Sequence, residues 1–575
     1  MDSPSKFSSE ESNGHYSRIS FDSGAPSTVE YLERISIPED HFPRFSLSEV
    51  NHEDVKRAVC SFTSQARGSD EIPQSFIKSA FSVIGPYIVQ IMNSSIRESI
   101  FPSVWKKSLV LALNKIAVPQ TMSDTRPIAL LCFLSKILER LVHGQISNYV
   151  ETRKLLDPYQ TGYRRGHSTQ TALLKLTDDV REGMEKKHVT LLLLFDFSKA
   201  FDSVSHVKLL QKLRNLDFDL SALRWVASYL TGREQAVLDD NGVPSSFTPL
   251  NKGVPQGSVL GPLLFILFMI DIACNLNGSI FRLLYADDLQ LYVRFPLHLL
   301  HYYVILMSQF AELVLRWASE NDLLLNVAKT KAIVIGSYYF INELSKHEIK
   351  GVTFNGSLIK FESSVKSLGV IIDSKLDWKL QVAAICKRSN SLMYRLNFFR
   401  KSTTLRLRKH LIESLLFPLI DYCSLVICNI SDELELKLLR VINSGVRYIF
   451  GIRKCEHISA YRVSLNWLTT KNRRNYFAGV LMYKLFQSKI PTYLADRYIA
   501  NTSTRPVRGY RLPLNIPPFT KEFLENSFYV TSSYLWNSLP PEVRCCDTLY
   551  SFKKVLFKHL LSLEHQSMPS LRAHL

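Results

Sequence analysis

The sequence lacks the segments that would carry a chain into or through a membrane. Its N-terminal stretch is polar and rich in serine, without the basic-then-apolar run that a secretory signal needs. The most apolar segment, residues 261–274, contains Asp271 and is shorter than the roughly 20 residues that a membrane-spanning helix requires. We therefore predict a buried helix at 261–274, no membrane partner and an intracellular protein.

The sequence also lacks internal repeats at solenoid periods and coiled-coil heptads. Its nine cysteines are scattered, and several lie within apolar runs, as reduced thiols of intracellular proteins do. Cys423, Cys428, Cys455 and His457 invite a zinc site, but their spacings fit the usual structural pattern poorly. We interpret them as core or free thiols.

Acidic residues are in deficit, because 52 Asp and Glu stand against 70 Lys and Arg, a formal net charge of +18. Such a charge favours a polyanionic partner, either nucleic acid or an acidic membrane surface. With 46% hydrophobic residues the chain can bury several cores. Its length favours roughly three to four domains.

The first strong local signals are one helix and one strand. Apolar side chains recur on one face of 134–151, which predicts an amphipathic helix. Residues 189–201 open with a continuous apolar run that ends at Asp196. This pattern is typical of a buried strand whose C-terminal end delivers a charged side chain to a cleft.

Asp287 and Asp288 are adjacent carboxylates between two strand-like stretches within 283–293. Neither residue favours a strand, and like charges repel. If they converge with Asp196 in a cleft of low dielectric, a divalent cation would remove the repulsion. Several hard oxygen ligands suit Mg²⁺, which completes its shell with water and substrate phosphates. A charged hairpin tip in water is the alternative.

Between the two acidic sites, Gly253, Gly257 and Gly261 recur at four-residue spacing before an apolar helix. Glycines let a backbone pass close to a flat object, and Gln256 can hydrogen-bond a base or sugar edge. A Gly/Pro turn before a core helix explains the same residues in isolation. Their order between the acids favours a loop that contacts a nucleotide.

Seven segments, taken in order, resemble the successive motifs of reverse transcriptases from jockey-like non-LTR retrotransposons. The similarity covers about 108–373, and residues 532–544 also resemble the C-terminal segment of such elements. The motifs are "SDTRPIALLCFLSKILERLV" (123–142), "YQTGYRRGHSTQTALL" (159–174), "FDFSKAFDSV" (195–204), "GVPQGSVLGPLLF" (253–265), "YADD" (285–288), "NDLLLNVAKTK" (321–331) and "SLGVIID" (367–373).

The resemblance implies an α+β fold of the right-hand polymerase type. Fingers and a palm with an antiparallel sheet would occupy 108–373, a basic helical thumb 374–450, and a nucleic-acid-binding region 451–575. A disordered Ser-rich leader (1–45) and a helical extension (46–107) would precede them. The implied activity is that of an RNA-directed DNA polymerase, which uses an RNA template, a DNA primer or nicked target DNA, and deoxynucleoside triphosphates.

The resemblance also implies the catalytic residues. Asp196, Asp287 and Asp288 would form the triad that binds two Mg²⁺ ions, with Mn²⁺ as the alternative ion. Lys329 matches the lysine that is proposed to protonate the leaving pyrophosphate. Asp202, six residues after Asp196, is interpreted as structural.

Further residues are implied in nucleotide binding. Phe201 lies where a bulky ring would collide with a ribose 2′-hydroxyl and select deoxynucleotides, and packing in the core is the alternative. Arg126 would offer a bidentate guanidinium to the triphosphate. Lys115, whose surroundings depart from the family spelling, is either a companion cation or a solvated surface lysine. The full set is Lys115, Arg126, Phe197, Phe201, Gln256 and Gly257.

The stretch 375–410 has ten Lys or Arg and one acid, a net +9 that is half of the formal charge. Leu407, Leu411 and Leu415 recur at i, i+4 and i+8, which predicts an apolar helix face with basic side chains elsewhere. We expect this region to track the template–primer backbone in a salt-dependent way. An ordinary solvated basic face is the alternative. The interleaved aromatic residues are Trp378, Tyr394, Phe398 and Phe399.

Residues 551–566 predict an amphipathic C-terminal helix with Phe552, Leu556 and Leu560 on one side. Members of the family usually carry an N-terminal endonuclease, and no such segment precedes the motifs here, so we expect any nick to be supplied in trans. A captured, non-catalytic RNA-binding protein and an RNA-templated RNA polymerase are the alternative functions. Copying into chromosomal DNA implies the nucleus, with a cytoplasmic ribonucleoprotein as the alternative.

Overall fold

The structure, a computed structural model, describes residues 7–17, 28–34, 44–276, 280–344, 346, 351–453, 455–501 and 512–566. The chain divides into two units, each assembled from separate segments. Unit 1 comprises residues 1–163, 196–277 and 311–326, and unit 2 comprises 164–195, 278–310 and 327–575.

The strands alternate with helices over the first two thirds of the chain. They are β1 (Lys107–Asn114), β2 (Thr125–Leu130), β3 (His188–Phe195), β4 (Phe197–Ser198), β5 (Arg233–Val237), β6 (Thr248–Leu250), β7 (Phe281–Tyr285), β8 (Asp288–Pro296), β9 (Leu324–Leu325), β10 (Lys331–Ile335), β11 (Val352–Phe354), β12 (Ser357–Ile359), β13 (Ser364–Ser367) and β14 (Val370–Asp373).

After β14 the described chain is almost entirely helical. The α-helices are α1 (Ser9–Ser17), α2 (Thr28–Arg34), α3 (His52–Cys60), α4 (Gln74–Glu98), α5 (Phe133–Thr152), α6 (Thr169–Glu185), α7 (His206–Asn215), α8 (Leu220–Leu230), α9 (Gly261–Phe268), α10 (Leu300–Glu320), α11 (Tyr338–Leu344), α12 (Lys379–Phe398), α13 (Leu405–Leu411), α14 (Phe417–Asp421), α15 (Asp432–Phe450), α16 (Ser459–Ser464), α17 (Thr470–Ser488), α18 (Thr492–Ala495), α19 (Glu522–Glu525), α20 (Phe528–Ser538), α21 (Pro541–Arg544) and α22 (Leu549–Gln566).

Unit 2 is built on a four-stranded antiparallel sheet in the order β10-β3-β8-β7. The predicted buried strand is β3, which has a hydrogen-bonded partner on each side and buried leucines on both faces. The predicted acidic hairpin is β7–β8, in which Tyr285 pairs with Asp288. Both predictions are confirmed.

Unit 1 contains a second four-stranded sheet, in the order β2-β1-β5-β6. The predicted helix over 134–151 is α5, whose face with Ile137, Leu138 and Val142 is fully buried. The predicted buried helix at 261–274 is α9, followed by a short helical turn, and its apolar side chains are buried. These helices cover unit 1 around the elements that carry the nucleotide-binding candidates.

Two helices of the described residues, α4 and the segment Leu297–Glu320, are long and apolar enough to cross a membrane by length and composition alone. Buried core helices meet the same test. On α4, Ile77, Phe81 and Ile88 form a buried face, and the helix packs against α3. The absence of a membrane partner stays a prediction.

The prediction of a disordered leader over 1–45 is wrong at α1. Tyr16 is buried beside Val110 and Val237, and its hydroxyl is hydrogen-bonded to Thr125. These contacts join residues that are about 100 or more positions apart in the sequence, so local composition could not predict them. Residues 28–34 are also helical, and much of the predicted leader lies outside the described residues.

The basic helices after β14 pack differently from the prediction. Leu407 and Leu415 are exposed, whereas Ile412 and Leu416 are buried. A π-helical turn over Ile412–Leu416 interrupts the 3.6-residue period and contains both buried positions, whereas α13 before it has no buried residue. The i, i+4, i+8 interpretation of this face was therefore wrong.

The C-terminal helix α22 confirms its prediction, because Phe552, Leu556 and Leu560 are buried where it packs on α17. A Cβ added at Gly479 of α17 would lie 2.7 Å from Leu556, so the two helices approach closely at this point. The C-terminal helices thus have a core of their own within unit 2.

We predict that Leu556→Ala lowers the free energy of unfolding of this region by about 2–5 kcal/mol, because it leaves a cavity in close packing. Leu563→Ala on the same helix, at an exposed position, should change it by less than about 0.5 kcal/mol. Urea-dependent pulse proteolysis of the full chain, probed at sites in 470–566, measures both. Equal effects of the two substitutions would contradict this packing.

Candidate active site

Strand register places the acidic pair at the edge of the unit 2 sheet where β3 ends. Phe195, the last residue of β3, pairs with Leu289 of β8. Asp288 begins β8 opposite Tyr285, and Asp287 lies in the turn just before it. Because β3 and β8 are antiparallel, the end of one strand and the start of the other meet at this edge.

The turn of this hairpin is tight. Only Ala286 and Asp287 separate the paired residues Tyr285 and Asp288, and Ala286 has φ +58°. Two-residue hairpin loops need such positive φ values, and a buried alanine in this conformation carries backbone strain. Asp287 is half-buried and Asp288 is exposed. The local fold therefore fixes two consecutive acidic residues at the tip of a sheet hairpin.

Two further candidates follow from chain continuity at this edge. Asp196 is joined by its peptide bond to Phe195, so their Cα atoms are about 3.8 Å apart. Its side chain is half-buried, and its carbonyl accepts a hydrogen bond of 2.8 Å from the Asn326 amide. Lys329 is exposed in the turn before β10, whose first residue, Lys331, pairs with Leu194. Lys329 thus lies at the same sheet edge as the acidic pair.

No group of three or more His, Cys, Asp or Glu side chains within the described part of the chain is arranged to hold a metal ion. The two-ion site of Asp196, Asp287 and Asp288 therefore stays a prediction. All nine cysteines lie among the described residues and are free, in agreement with the interpretation as thiols.

The glycines of the "GVPQG" loop approach the chain itself. A Cβ added at Gly253 would lie 2.8 Å from the carbonyl oxygen of Asp202, and one at Gly257 would lie 2.6 Å from that of Ala129. Both glycines have positive φ. The fold of the chain itself thus requires these glycines, and their predicted contact with a nucleotide stays a prediction.

Gln256 is hydrogen-bonded to a half-buried partner. Its side-chain amide donates a 2.8 Å hydrogen bond to the carboxylate of Asp202, and its backbone carbonyl accepts a 2.6 Å bond from the Ala129 backbone amide. Burial raises the pKa of Asp202, and the Gln256 hydrogen bond opposes that shift. Asp202 therefore has the structural role expected of it. The contact of Gln256 with a base or sugar edge stays a prediction.

Two residues that sequence analysis missed hold the same loop from beneath. Glu139 of α5 is completely buried and accepts hydrogen bonds from the amides of Val259 at 2.7 Å and Leu260 at 3.1 Å. His206 of α7 lies with Nε2 2.9 Å from the Gly253 carbonyl. An acid on the apolar face of α5 was the available signal for Glu139. His206 had no sequence signal.

His206 is neutral in the fold. Because this carbonyl can only accept, Nε2 must carry the hydrogen. Burial lowers the pKa of His206 to about 4, against a smaller opposing effect of the hydrogen bond to Gly253. A neutral donor therefore anchors the start of the loop.

The two phenylalanines of the "FDFSKAF" motif have different environments. Phe201 is half-buried and stacks on Phe265 with ring centroids 4.3 Å apart, and Tyr163 meets it edge-on. One ring face is thus held by the core while part of the ring stays accessible. Phe197 is buried in β4, opposite Leu325. Its side chain packs in the core, which does not fit the predicted nucleotide contact.

Arg126 and Lys115 lie on the β1–β2 hairpin of unit 1. Arg126 is exposed in β2 opposite Leu113. Lys115 directly follows β1, is exposed, and donates a 2.8 Å hydrogen bond from Nζ to the Ser123 carbonyl. The two cations share one hairpin, Lys115 also has a local structural contact, and their binding of a triphosphate stays a prediction.

Comparison with known proteins identifies the family that the chain resembles. Residues 106–372 match the family model described as reverse transcriptase (RNA-dependent DNA polymerase). The chain is 27% identical to the RNA-directed DNA polymerase from mobile element jockey of Drosophila melanogaster, over 72% of this chain and 45% of that protein. It is 28% identical to the probable RNA-directed DNA polymerase from transposon BS of the same species, over 63% and 40%.

A third relative is the retrovirus-related Pol polyprotein from type-1 retrotransposable element R1 of Bradysia coprophila, 27% identical over 61% of this chain and 34% of that protein. The chain therefore spans less than half the length of these curated relatives. The matches confirm the resemblance inferred from the seven motifs and the α+β fold class that it implies.

We predict a pH-dependent contribution of His206 to the stability of unit 1. Its pKa is lowered in the fold, so the contribution is complete above the unfolded value near 6.5 and is lost as pH falls towards 4. The full loss is about 3 kcal/mol. His206→Gln can still donate to the Gly253 carbonyl but does not titrate, so it should lack this loss.

Denaturant unfolding of the full chain at pH 7, 5.5 and 4.5 measures the difference. His298→Gln, at an exposed histidine of unit 2, is the matched control and should keep the wild-type pH dependence. The same change in the free energy of unfolding with pH for the wild type and His206→Gln would contradict this role of His206.

Proposed function

We propose that this chain, in which residues 106–372 belong to the reverse transcriptase family, is an RNA-directed DNA polymerase that copies retroelement RNA into DNA. One observation carries the proposal. The β3–β8 register brings the strand end that precedes Asp196 to the hairpin that presents Asp287 and Asp288. The proposed catalytic centre consists of these three carboxylates.

The donor set fits divalent metal ions of the hard class. Carboxylate oxygens on a rigid sheet edge suit Mg²⁺, or Mn²⁺ as the alternative, because these ions need only one or two protein carboxylates besides water and phosphate oxygens. Ions bound by Asp196, Asp287 and Asp288 would activate the primer 3′-hydroxyl and stabilise charge on the triphosphate. The backbone positions these ligands. A tight turn holds Asp287 and Asp288, and a peptide bond joins Asp196 to the end of β3.

The remaining candidates divide the work of nucleotide binding. Arg126, exposed on β2, would bind the triphosphate through its planar guanidinium. Phe201, held on one face by Phe265, would occupy the space that a ribose 2′-hydroxyl needs. Lys329, at the sheet edge of the acidic pair, would donate a proton to the leaving pyrophosphate. Lys115 would add positive charge beside Arg126.

The proposed partners are an RNA template, a DNA primer or nicked target DNA, and deoxynucleoside triphosphates. An excess of positive charge suits the two polyanions. We also propose that the chain works in the nucleus, because its product would enter chromosomal DNA. An endonuclease that acts in trans stays a prediction.

We predict that Asp196→Asn and Asp288→Asn each lower primer extension by about 100-fold or more, since each removes a ligand charge that the transition state needs. Glu433→Gln, at an exposed acid on α15, is the charge-matched control and should extend normally. The assay uses an RNA template, a DNA primer, deoxynucleotides and Mg²⁺. A wild-type chain that binds the duplex but adds no nucleotide would overturn the proposal in favour of a non-catalytic RNA-binding protein.

We predict that Phe201→Ala raises the incorporation of ribonucleotides relative to deoxynucleotides by about 10-fold to 100-fold, because it opens space for the 2′-hydroxyl. The ratio of kcat/KM for the two nucleotide types measures this. If Phe201 is only a core residue, the substitution lowers stability and leaves the ratio unchanged. A wild type that already prefers ribonucleotides would point to an RNA polymerase.

A further inference from the structure

Three aromatic side chains of unit 2 project into solvent at the C-terminal end of α12. Tyr394, Phe398 and Phe399, called here the aromatic cluster, are 67%, 68% and 67% exposed. Tyr394 and Phe398 are one helical turn apart and meet edge to face, with ring centroids separated by 5.0 Å. Large aromatic side chains are normally buried, and an exposed group of them marks an interaction site.

The aromatic cluster is not the side of α12 that packs in the core. Val382, Ile385 and Met393 are buried on the opposite side, where α12 packs against α15. Trp378, the remaining aromatic residue of this basic stretch, is also buried, just before the helix begins. The structure therefore separates one structural aromatic residue from three that have no role in packing this helix.

Exposed basic residues lie along α12 in line with the aromatic cluster, in two rows that we call the α12 stripes. Lys387 precedes Tyr394 and Phe398 at i, i+7 and i+11. Arg388 and Arg395 stand in the same relation to Phe399, and all three basic side chains are exposed. Residues at these spacings share a helix face. No acidic residue occurs between Asp377 and Glu413.

Not every cation of this stretch is available to a partner. The Arg400 guanidinium donates to the Tyr448 carbonyl, and Arg408 donates to the carbonyls of Thr403 and Ile449. These arginines hold the helices together. Two of the ten cations of 375–410 are therefore committed to the fold, whereas Lys387, Arg388 and Arg395 lie exposed on the α12 stripes next to the aromatic cluster, with further exposed cations at Lys401 and Arg406.

We propose that the aromatic cluster is a binding platform for unpaired nucleic acid. Bases of a single strand would stack on Tyr394, Phe398 and Phe399, while Lys387, Arg388 and Arg395 would bind the adjoining phosphates. Base–aromatic stacking needs exposed base faces, which a single strand has and a duplex hides within its own stack. The platform goes beyond the proposed polymerase function, which requires only that the template–primer duplex be held through its backbone.

Binding of a labelled 20-nucleotide oligo-dT and of a 20-base-pair duplex to the full chain tests the proposal by fluorescence anisotropy. The measurement uses EDTA and no nucleotides, so it does not depend on catalysis. We expect replacement of the aromatic cluster by alanine to weaken oligo-dT binding by about 10-fold to 100-fold, with duplex binding changed less than about 3-fold. Replacement of the cluster by leucine keeps apolar bulk but removes stacking, so it should cause a similar loss.

Two further variants serve as controls, one for the loss of exposed apolar side chains and one for the role of positive charge. Phe76→Ala, Val83→Ala and Tyr87→Ala together remove exposed apolar side chains of α4 in unit 1 and should leave both affinities unchanged. The combined substitutions Lys387→Gln, Arg388→Gln and Arg395→Gln should weaken the binding of both oligo-dT and duplex and reduce its salt dependence.

Three outcomes would overturn the platform. The first is an equal loss on oligo-dT and duplex in the alanine variant. The second is full oligo-dT affinity in the leucine variant. The third is a wild type that is dimeric by light scattering and an alanine variant of the cluster that is monomeric, with the same oligo-dT affinity for both. A chain with an intact platform and no primer extension would refute the polymerase proposal alone.

Discussion

The antiparallel pairing of β3 with β8 is the constraint on which the candidate active site depends. A shift of one residue in this register would turn every side chain of a strand to the opposite face of the sheet. The alternation of β8 makes such a shift costly, because its buried Leu289, Leu291 and Val293 would take the places of its hydrogen-bonded polar side chains. Hydrophobic burial along the strand thus fixes the position of carboxylates at its end. The site is held by residues that take no part in its chemistry.

The "GVPQG" loop depends on a second kind of constraint, the need to satisfy buried polar groups. Glu139 and His206 are buried, Asp202 is half-buried, and each is hydrogen-bonded to this loop. An unpaired buried carboxylate or imidazole costs much more than a lost surface contact, so the loop has few alternative conformations. Glycine at positions 253 and 257 then follows from the close approach of two backbones. The loop is best understood as a rigid support beside Phe201.

The α12 face shows the reverse relation between folding and function. Three aromatic rings and three cations remain in solvent, although burying the rings would stabilise the fold. The hydrophobic demand of this helix is met on its other side by α15. Side chains that do not pack in the core are available to a ligand. Because these side chains are aromatic and positively charged, they suit a ligand with exposed bases and phosphates.

The sequence by itself determined the resemblance to reverse transcriptases, the β3 strand, the acidic hairpin and the C-terminal helix, because period and motif order are local properties of a chain. Only the tertiary structure decided which of the candidate side chains are engaged by the fold. Gln256 and Phe197 look available for a nucleotide in the sequence, yet one is bonded to Asp202 and the other is buried. The docking of α1 was out of reach, and an acid on the apolar face of α5 signalled Glu139 but not its partner, since both contacts join residues about 100 or more positions apart. Burial and hydrogen-bond satisfaction are set by such distant contacts, and no local pattern encodes them.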